Sequence, residues 1–226
     1  MTVKICASVT ANSLQDMRRM MRNAERDGAD LIEVRMDYLQ GKYDLKEIRK
    51  FSDLPLIATN RPPREGGLFK GSEEERIRLL SSAVDSDFDF VDIELSTEES
   101  EEIVKKLKGR GVETIISSHL FDSNPNLATL NTIFRKEKST HADVCKIVMS
   151  ANEFVDNLTC LRFVEKTSRK ANVVCFCVGE KGITSRLISP LFGGYFTYAS
   201  VEVGKEAAPG QLTVAEMRKF YEVLGV

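Results

Sequence analysis

Short apolar runs rich in Val, Ile and Leu alternate with amphipathic stretches along the whole chain. Apolar runs of this kind, bounded by polar or turn-forming residues, are typical of buried strands. Between them, apolar residues recur three or four positions apart, which predicts helices with one buried face. We predict eight strands, at Val3–Ser8, Leu31–Arg35, Leu56–Thr59, Phe90–Glu94, Glu113–Ser117, Val144–Val148, Val173–Val178 and Tyr195–Ala199.

Several helix ends carry their own signals. The segments Ser72–Glu75, Ser96–Glu99 and Thr213–Glu216 each fit a capping box, in which a hydroxyl and a glutamate satisfy free backbone N–H groups at a helix start. Gly109 and Gly111 flank the predicted end of the fourth helix, where a left-handed residue often stops the helix.

Eight strand–helix units in 226 residues favour a (β/α)8 TIM barrel that forms a single domain over residues 1–226. A flat, doubly wound α/β sheet is the alternative. Such a sheet usually has a glycine-rich first turn, and the segment Ser8–Asn12 contains no glycine. No linker rich in Pro, Gly or Ser divides the chain.

Composition narrows the class of protein. The net charge of −2 offers no electrostatic reason to bind nucleic acid or an anionic membrane. No apolar stretch approaches the ~20 residues that a membrane span needs. Five cysteines without a C-x-x-C pair, mostly within apolar runs, predict buried thiols in a reducing compartment. With no signal-peptide pattern at the start, we expect a cytoplasmic protein.

Polar residues stand at or just after the carboxyl ends of the predicted strands. In a barrel these ends meet on one face, which is the usual place for an active site. Lys146 is the most informative, because a cation is costly to bury inside a strand. His119, one of two histidines, follows the preceding strand. The candidates are Ser8, Glu33, Arg35, Arg61, Glu65, Glu94, His119, Lys146, Arg186 and Gln211.

Structural explanations compete with the functional one. Glu33 and Arg35 could form an ion pair inside the barrel mouth. Arg61 and Glu65 could be a solvated pair in a loop, and Arg186 could lie on a helix surface.

His119 alone could be a hydrogen-bonded core residue. The other histidine, His141, precedes a strand and is predicted to lie on the surface at the opposite end of the barrel.

Metal binding is not expected. Histidines at opposite ends of the barrel and scattered cysteines make no zinc ligand set. Glu33, Asp37 and Glu94 could hold magnesium, but the neighbouring arginines argue against a cation there.

A buried lysine beside a histidine suggests imine chemistry. A neutral lysine amine attacks a ketone, and the protonated imine acidifies the adjacent C–H bond, from which a histidine can take the proton. We expect burial and nearby cations to keep the amine of Lys146 neutral part of the time. Arg186 could bind a carboxylate through two hydrogen bonds. The substrate would be a small anionic ketone, and the reaction either loss of water or carbon–carbon cleavage.

The motifs together resemble those of type I 3-dehydroquinate dehydratases. The match covers nearly the full chain, in order, and the set is far more specific than any single motif. It consists of Glu33–Asp37 (E-x-R-x-D), Arg61–Gly67 (an arginine, then E-G-G), Asp92–Leu95, Ser117–His119, Lys146–Val148, Ser185–Leu187 and Ala208–Gln211 (A-P-G-Q).

This resemblance implies a role for each candidate. Lys146 would form a Schiff base with 3-dehydroquinate, His119 would be the general acid–base, and Glu65 would orient it. Arg186 would bind the substrate carboxylate. The family is a (β/α)8 barrel, usually a homodimer, without metal or organic cofactor, and its product, 3-dehydroshikimate, belongs to the shikimate route to aromatic amino acids. The remaining pocket residues would be Ser8, Glu33, Arg35, Arg61 and Gln211.

Three positions depart from the family pattern. Leu120 stands where Asp or Asn commonly follows the histidine, Ser118 where Tyr, Asn or His often precedes it, and Ala207 where a serine is often found. Two other functions stay open: another Schiff-base-forming barrel such as a class I aldolase, and a barrel without catalysis that binds an acidic metabolite.

Overall fold

The computed structural model describes residues 3–121, 123 and 125–226. Among these residues, eight strands form one parallel sheet. The strands are β1 (Ile5–Val9), β2 (Leu31–Arg35), β3 (Leu56–Thr59), β4 (Phe90–Glu94), β5 (Glu113–Leu120), β6 (Val144–Ser150), β7 (Asn172–Val178) and β8 (Thr197–Ser200). The helices are α1 (Leu14–Arg26), α2 (Leu45–Arg49), α3 (Glu73–Val84), α4 (Ser100–Lys108), α5 (Leu127–Ser139), α6 (Asp156–Thr167), α7 (Ile183–Ile188) and α8 (Val214–Leu224).

The sheet curls into a barrel. Its strand order is β7-β6-β5-β4-β3-β2-β1-β8, and each neighbouring pair is parallel. Where β7 meets the chain entering β8, the N–H of Tyr195 donates to the carbonyl of Val173 at 2.8 Å. The predicted (β/α)8 TIM barrel is therefore confirmed, and the flat doubly wound alternative is wrong.

Alternating side chains divide the barrel into an interior and a helix-covered exterior. On β6, Val144 and Val148 belong to the interior apolar cluster, whereas Cys145, Ile147 and Met149 pack with the outer core. Lys146 shares the interior parity, because successive strand residues face opposite sides. The strand pattern therefore requires this cation to point into the barrel.

Two of the three predicted capping boxes are confirmed, at Ser72 and Thr213. The third is wrong: α4 begins at Ser100, after Glu99 in a left-handed conformation (φ 54°). The hydroxyl of Ser96 instead donates to the carboxylate of Glu65.

The cysteines and the helices can also be compared with what the sequence predicts. All five cysteines are buried and carry free thiols, in agreement with the prediction of small buried side chains. None of the described helices is long and apolar enough to cross a membrane.

The turn after β3 depends on the absence of a side chain. Gly66 ends a short 3-10 turn (Pro63–Glu65) with φ 77°, a region that favours glycine. At Gly67, a Cβ would lie 1.9 Å from the carbonyl oxygen of Arg61. The backbone can pass this close to Arg61 only with glycine at that position.

Gly67→Ala should therefore destabilise the protein by about 2–3 kcal/mol, because the backbone around Arg61 must shift. Gly109→Ala is the matched control: Gly109 has φ −60°, and the nearest atom to an added methyl would be a carbonyl oxygen at 3.4 Å, so we expect a change below about 1 kcal/mol. Urea unfolding followed by circular dichroism measures both. Equal effects of the two substitutions would contradict the close approach at Gly67.

Candidate active site

A pocket opens at the carboxyl ends of the strands, and both charged and apolar side chains line it. All nine residues predicted as catalytic or substrate-binding line it: Ser8, Glu33, Arg35, Arg61, Glu65, His119, Lys146, Arg186 and Gln211. Apolar neighbours, among them Phe121, Val148 and Phe176, complete the wall.

Lys146 lies at the floor of this pocket and is 4% exposed. Its Nζ is 2.9 Å from Asp92 Oδ2 and 3.1 Å from the hydroxyl oxygen of Tyr198. Glu33 Oε1 lies 3.6 Å away. The charged groups in contact with this amine are therefore carboxylates, from interior positions of β2 and β4.

Arg61 lies behind Asp92 and links it to Glu94. One nitrogen, Nη2, is 2.8 Å from Asp92 Oδ2, and Nη1 is 2.7 Å from Glu94 Oε1. Burial alone would raise the pKa of Asp92, but the cations of Arg61 and Lys146 outweigh it and hold that pKa well below its usual value. Arg61 is thus a buried ion-paired residue, and the solvated loop pair is wrong.

The alternative explanation, an ion pair between Glu33 and Arg35, is also wrong. Arg35 instead binds the carboxylate of Asp37 through two hydrogen bonds, at 2.9 and 2.7 Å. It thereby turns its guanidinium towards the rim of the pocket, where its carbon Cζ lies 4.8 Å from the ring centroid of Tyr38.

Glu33 has different partners. Its two oxygens accept hydrogen bonds from Ser8 Oγ at 2.8 Å and Thr59 Oγ1 at 3.1 Å. Gln211 Nε2 reaches Ser8 Oγ at 3.4 Å, while Gln211 Oε1 accepts from the N–H of Ala207 at 2.8 Å. Three strands and the last loop therefore share one polar network on this side of the pocket.

His119 lies on β5 near Lys146. Ser117 is the register partner of Lys146, so His119 stands one inward position closer to the pocket mouth. Its Nδ1 is 2.9 Å from Glu65 Oε2. A carboxylate at Nδ1 favours the tautomer with the proton on that nitrogen and leaves Nε2 free to accept a proton.

Burial, assisted by the cations of Arg61 and Lys146, lowers the pKa of His119 well below 6.5. Burial also raises the pKa of Glu65, although the hydrogen bond from Ser96 opposes this effect. The imidazole is therefore neutral at physiological pH and can act as a base.

Arg186 is 1% exposed, so its placement on a helix surface is wrong. Its guanidinium carbon lies 4.3 Å from the ring centroid of Phe176, and Nη1 has a weak contact of 3.4 Å with the carbonyl of Tyr198. Nε and Nη2 have no partner among the described residues. Burial without a carboxylate partner lowers the pKa of Arg186 to about 10. A buried, unpaired guanidinium that lines a pocket is well suited to bind an anion.

No group of three or more His, Cys, Asp or Glu side chains within residues 3–121, 123 and 125–226 is arranged to hold a metal ion. His141 is exposed, as predicted for the opposite end of the barrel.

Comparison with known proteins assigns the family. A family model described as "Type I 3-dehydroquinase" matches residues 5–226. A 3-dehydroquinate dehydratase of Methanopyrus kandleri is 39% identical over 225 residues, covering 98% of this chain and 100% of that protein. The chain belongs to the type I 3-dehydroquinase family.

Solved structures agree. The crystal structure of 3-dehydroquinate dehydratase from Geobacillus kaustophilus matches with a TM-score of 0.92 at 26% identity, covering 100% of this chain and 92% of that one. The chain also matches a bifunctional 3-dehydroquinate dehydratase/shikimate dehydrogenase of Arabidopsis thaliana at 33% identity, and there it spans 36% of the relative's length.

The three departures from the type I 3-dehydroquinase pattern lie in different surroundings. Ser118 faces away from the barrel interior, and its hydroxyl donates to Glu137 Oε1 at 2.7 Å. Leu120 packs against the outer core, while Ala207 lines the pocket. Of the three, Ala207 alone is placed where it could touch a ligand directly.

Three interior residues of the site were not among the predicted candidates. Asp92 and Tyr198 contact the amine of Lys146, and the hydroxyl of Ser117 accepts a hydrogen bond from Arg61. Asp92 and Ser117 had a usable signal, since each lies two positions before a predicted site or rim residue on the same strand and therefore shares its face. Tyr198 had none, because its contact with Lys146 spans the barrel.

The lowered pKa of His119 can be measured directly. Because the chain has two histidines, His141→Gln leaves one imidazole for NMR titration. We expect its midpoint below pH 6.5, and we expect Arg61→Met to move that midpoint upward, because a nearby cation is removed. A midpoint at or above 6.5 in the parent would contradict the burial and charge around this ring.

Proposed function

We propose that this chain is a 3-dehydroquinate dehydratase, a single catalytic domain over residues 1–226 that converts 3-dehydroquinate to 3-dehydroshikimate and water. Family membership supports the reaction class. The observation that carries the mechanism is one pocket that holds a buried amine, a neutral imidazole and an unpaired guanidinium, from Lys146, His119 and Arg186.

Schiff-base formation would begin at Lys146. Its amine, after losing a proton, attacks the substrate ketone, and loss of water from the adduct gives a protonated imine. The low exposure of the amine limits competition from water, and Asp92 and Glu33 stabilise the cationic imine that replaces the ammonium.

Elimination would depend on His119. Its Nε2 takes the C2 proton, which the imine has acidified, and returns it to the C1 hydroxyl as that group departs as water. The enamine electrons form the new double bond, and hydrolysis of the imine releases product and regenerates the amine. Glu65, hydrogen-bonded at Nδ1, holds the ring orientation and stabilises the transient imidazolium.

Arg186 would bind the substrate carboxylate. Its free Nε and Nη2 form the planar edge that binds a carboxylate through two parallel hydrogen bonds. Phe176 supports the opposite face of the guanidinium. The hydroxyl groups of the substrate would be bound by the polar set Ser8, Glu33, Arg35, Arg61 and Gln211.

On the family resemblance, we also propose a cytoplasmic homodimer that acts in the shikimate pathway. Five free buried thiols are consistent with a reducing compartment.

Borohydride reduction in the presence of 3-dehydroquinate should attach substrate to Lys146, as found by peptide mass mapping. Lys146→Met should abolish the adduct and lower kcat by more than about a thousandfold, equivalent to ~4 kcal/mol of barrier. His119→Ala should still give the adduct but lose dehydration by about 10²–10⁴-fold, because the two steps use different groups.

Three outcomes would separate the alternatives. A reducible adduct with no enone absorbance from product would favour another imine-forming barrel such as an aldolase. Binding without any adduct would favour a barrel that only binds an acidic metabolite. A loss of less than about tenfold in Lys146→Met would contradict a covalent role.

Arg186→Met should raise KM for 3-dehydroquinate about 10–100-fold, since a charged hydrogen-bonded pair is lost. The variant should be at least as stable to heat as the parent, because a desolvated unpaired cation is removed. Arg169→Met, at an exposed arginine, is the matched control and should change neither quantity. A KM within about threefold of the parent value would exclude Arg186 as the carboxylate-binding residue.

A further inference from the structure

Arg76 is a fully buried cation on α3, outside the barrel. It is not among the residues that line the pocket. Its Nη1 is 2.5 Å from Glu94 Oε2, at the end of β4, which makes an ion pair by distance although the N–H is not aligned for a hydrogen bond. Burying this guanidinium is costly unless an ion-pair partner and full hydrogen bonding compensate for the loss of water.

The remaining contacts of Arg76 hold its position. Nε and Nη2 bind the carboxylate of Glu73 at 2.9 and 2.7 Å. Nη2 also donates to Thr97 Oγ1, and Nη1 donates to the carbonyl of Asn60. Glu73 is 39% exposed, so solvent screens its charge, whereas the pair of Arg76 with Glu94 is fully buried.

Glu94 connects Arg76 to the catalytic amine. Its other oxygen, Oε1, binds Arg61, which binds Asp92, which in turn binds Lys146. The contacts between successive charged groups in this series lie between 2.5 and 2.9 Å. The buried charge series Arg76–Glu94–Arg61–Asp92–Lys146 therefore runs from outside the barrel to the pocket floor.

When Glu33 is counted with this series and the partly exposed Glu73 is left out, the charges are balanced if Lys146 is protonated. Three carboxylates, Glu33, Asp92 and Glu94, face three cations, Arg61, Arg76 and Lys146. Other groups near the amine are the hydroxyl of Tyr198 on β8, the thiol of Cys6 on β1 and the imidazole of His119 on β5. Glu65, Arg35 and Arg186 line the same pocket and stay unchanged in every variant below. Burial raises the pKa of both Cys6 and Tyr198, which keeps them neutral.

We infer that Arg76 is a positioning residue for the Schiff-base reaction, which controls through Glu94 and Arg61 how strongly Asp92 holds the ammonium of Lys146. This inference rests on the proposed function, in which Lys146 is the nucleophile. With Arg76 in place, Glu94 is shared between two arginines, and Arg61 is free to bind Asp92. Without Arg76, Glu94 draws Arg61 towards itself, and Asp92 is left to Lys146.

The charges determine in which direction each substitution shifts the pH at which the amine of Lys146 becomes reactive. Arg76→Met removes one buried positive charge, so it favours the protonated amine and shifts this pH upward. Glu94→Gln removes one buried negative charge, so it favours the neutral amine and shifts this pH downward. The double variant Arg76→Met/Glu94→Gln restores the balance and should behave like the parent.

Reductive methylation measures the reactivity of the Lys146 amine without the natural substrate. Formaldehyde with cyanoborohydride is small enough to enter the pocket, and peptide mass spectrometry quantifies methylation of Lys146 across a range of pH. The methylation rate should rise with pH and level off once the amine is neutral. At a fixed pH below that plateau, we expect Lys146 to be methylated about tenfold more slowly in Arg76→Met than in the parent, equivalent to a shift of the rate profile by about one pH unit. Arg78→Met, an exposed arginine on the same helix, is the matched control and should label like the parent.

Dehydration kinetics provide the second measurement. Arg76→Met should lower kcat at neutral pH by about tenfold and move the ascending limb of the pH profile upward, with KM within about twofold. Arg76→Lys, which keeps the charge, should restore most of kcat. A purely structural role would instead lower the melting temperature without moving either pH profile.

Opposite shifts in Arg76→Met and Glu94→Gln would support the inference. A folded Arg76→Met with the labelling profile of the parent, or shifts of both variants in the same direction, would overturn it. If Arg76→Met does not fold, Glu94→Gln provides the test. A pH profile of Lys146 methylation that stays at the parent position or moves to higher pH in Glu94→Gln then overturns the inference. A failure of the proposed function gives a different result: the parent and variants would show the expected methylation profiles, but the parent would not dehydrate 3-dehydroquinate.

Discussion

One oxygen of Asp92 accepts both the guanidinium of Arg61 and the amine of Lys146, at 2.8 and 2.9 Å. Inside a barrel, where water is excluded, each of these charges would be prohibitively costly without the others. The floor of the pocket is therefore built as an alternating set of charges, with Ser117 satisfying the second oxygen of Asp92. The position of the amine, and so the chemistry proposed for it, depends on this shared oxygen.

The site combines satisfied and unsatisfied charges. The floor residues Asp92, Arg61 and Glu94 are ion-paired within the described protein, whereas the buried guanidinium of Arg186 has no carboxylate partner there. Pairing offsets the desolvation cost of buried charges, whereas an unpaired charge destabilises the barrel until an anion arrives. This division separates the permanent scaffold of the site from the part that is complementary to a ligand.

The strand–helix alternation, the interior parity of Lys146 and the charged residues that line the pocket could all be predicted from the sequence. The alternation follows from apolar periodicity, and the parity follows from the two-residue repeat of a strand. The carboxyl ends of parallel barrel strands necessarily meet on one face, so Ser8, His119 and Arg186, far apart in the chain, could be assigned to one site before any contact was known.

Tertiary structure decided which charges pair. Glu33 and Arg35 are neighbours on one strand face, yet Arg35 binds Asp37 and Glu33 binds hydroxyls. Ser96 donates a hydrogen bond to Glu65 and does not cap a helix, and Arg186 is buried and not exposed. Periodicity records only which face a residue is on, because it is a property of one segment. Pairing depends on distances between segments, which exist only once the barrel has closed and its desolvated charges have found partners across it.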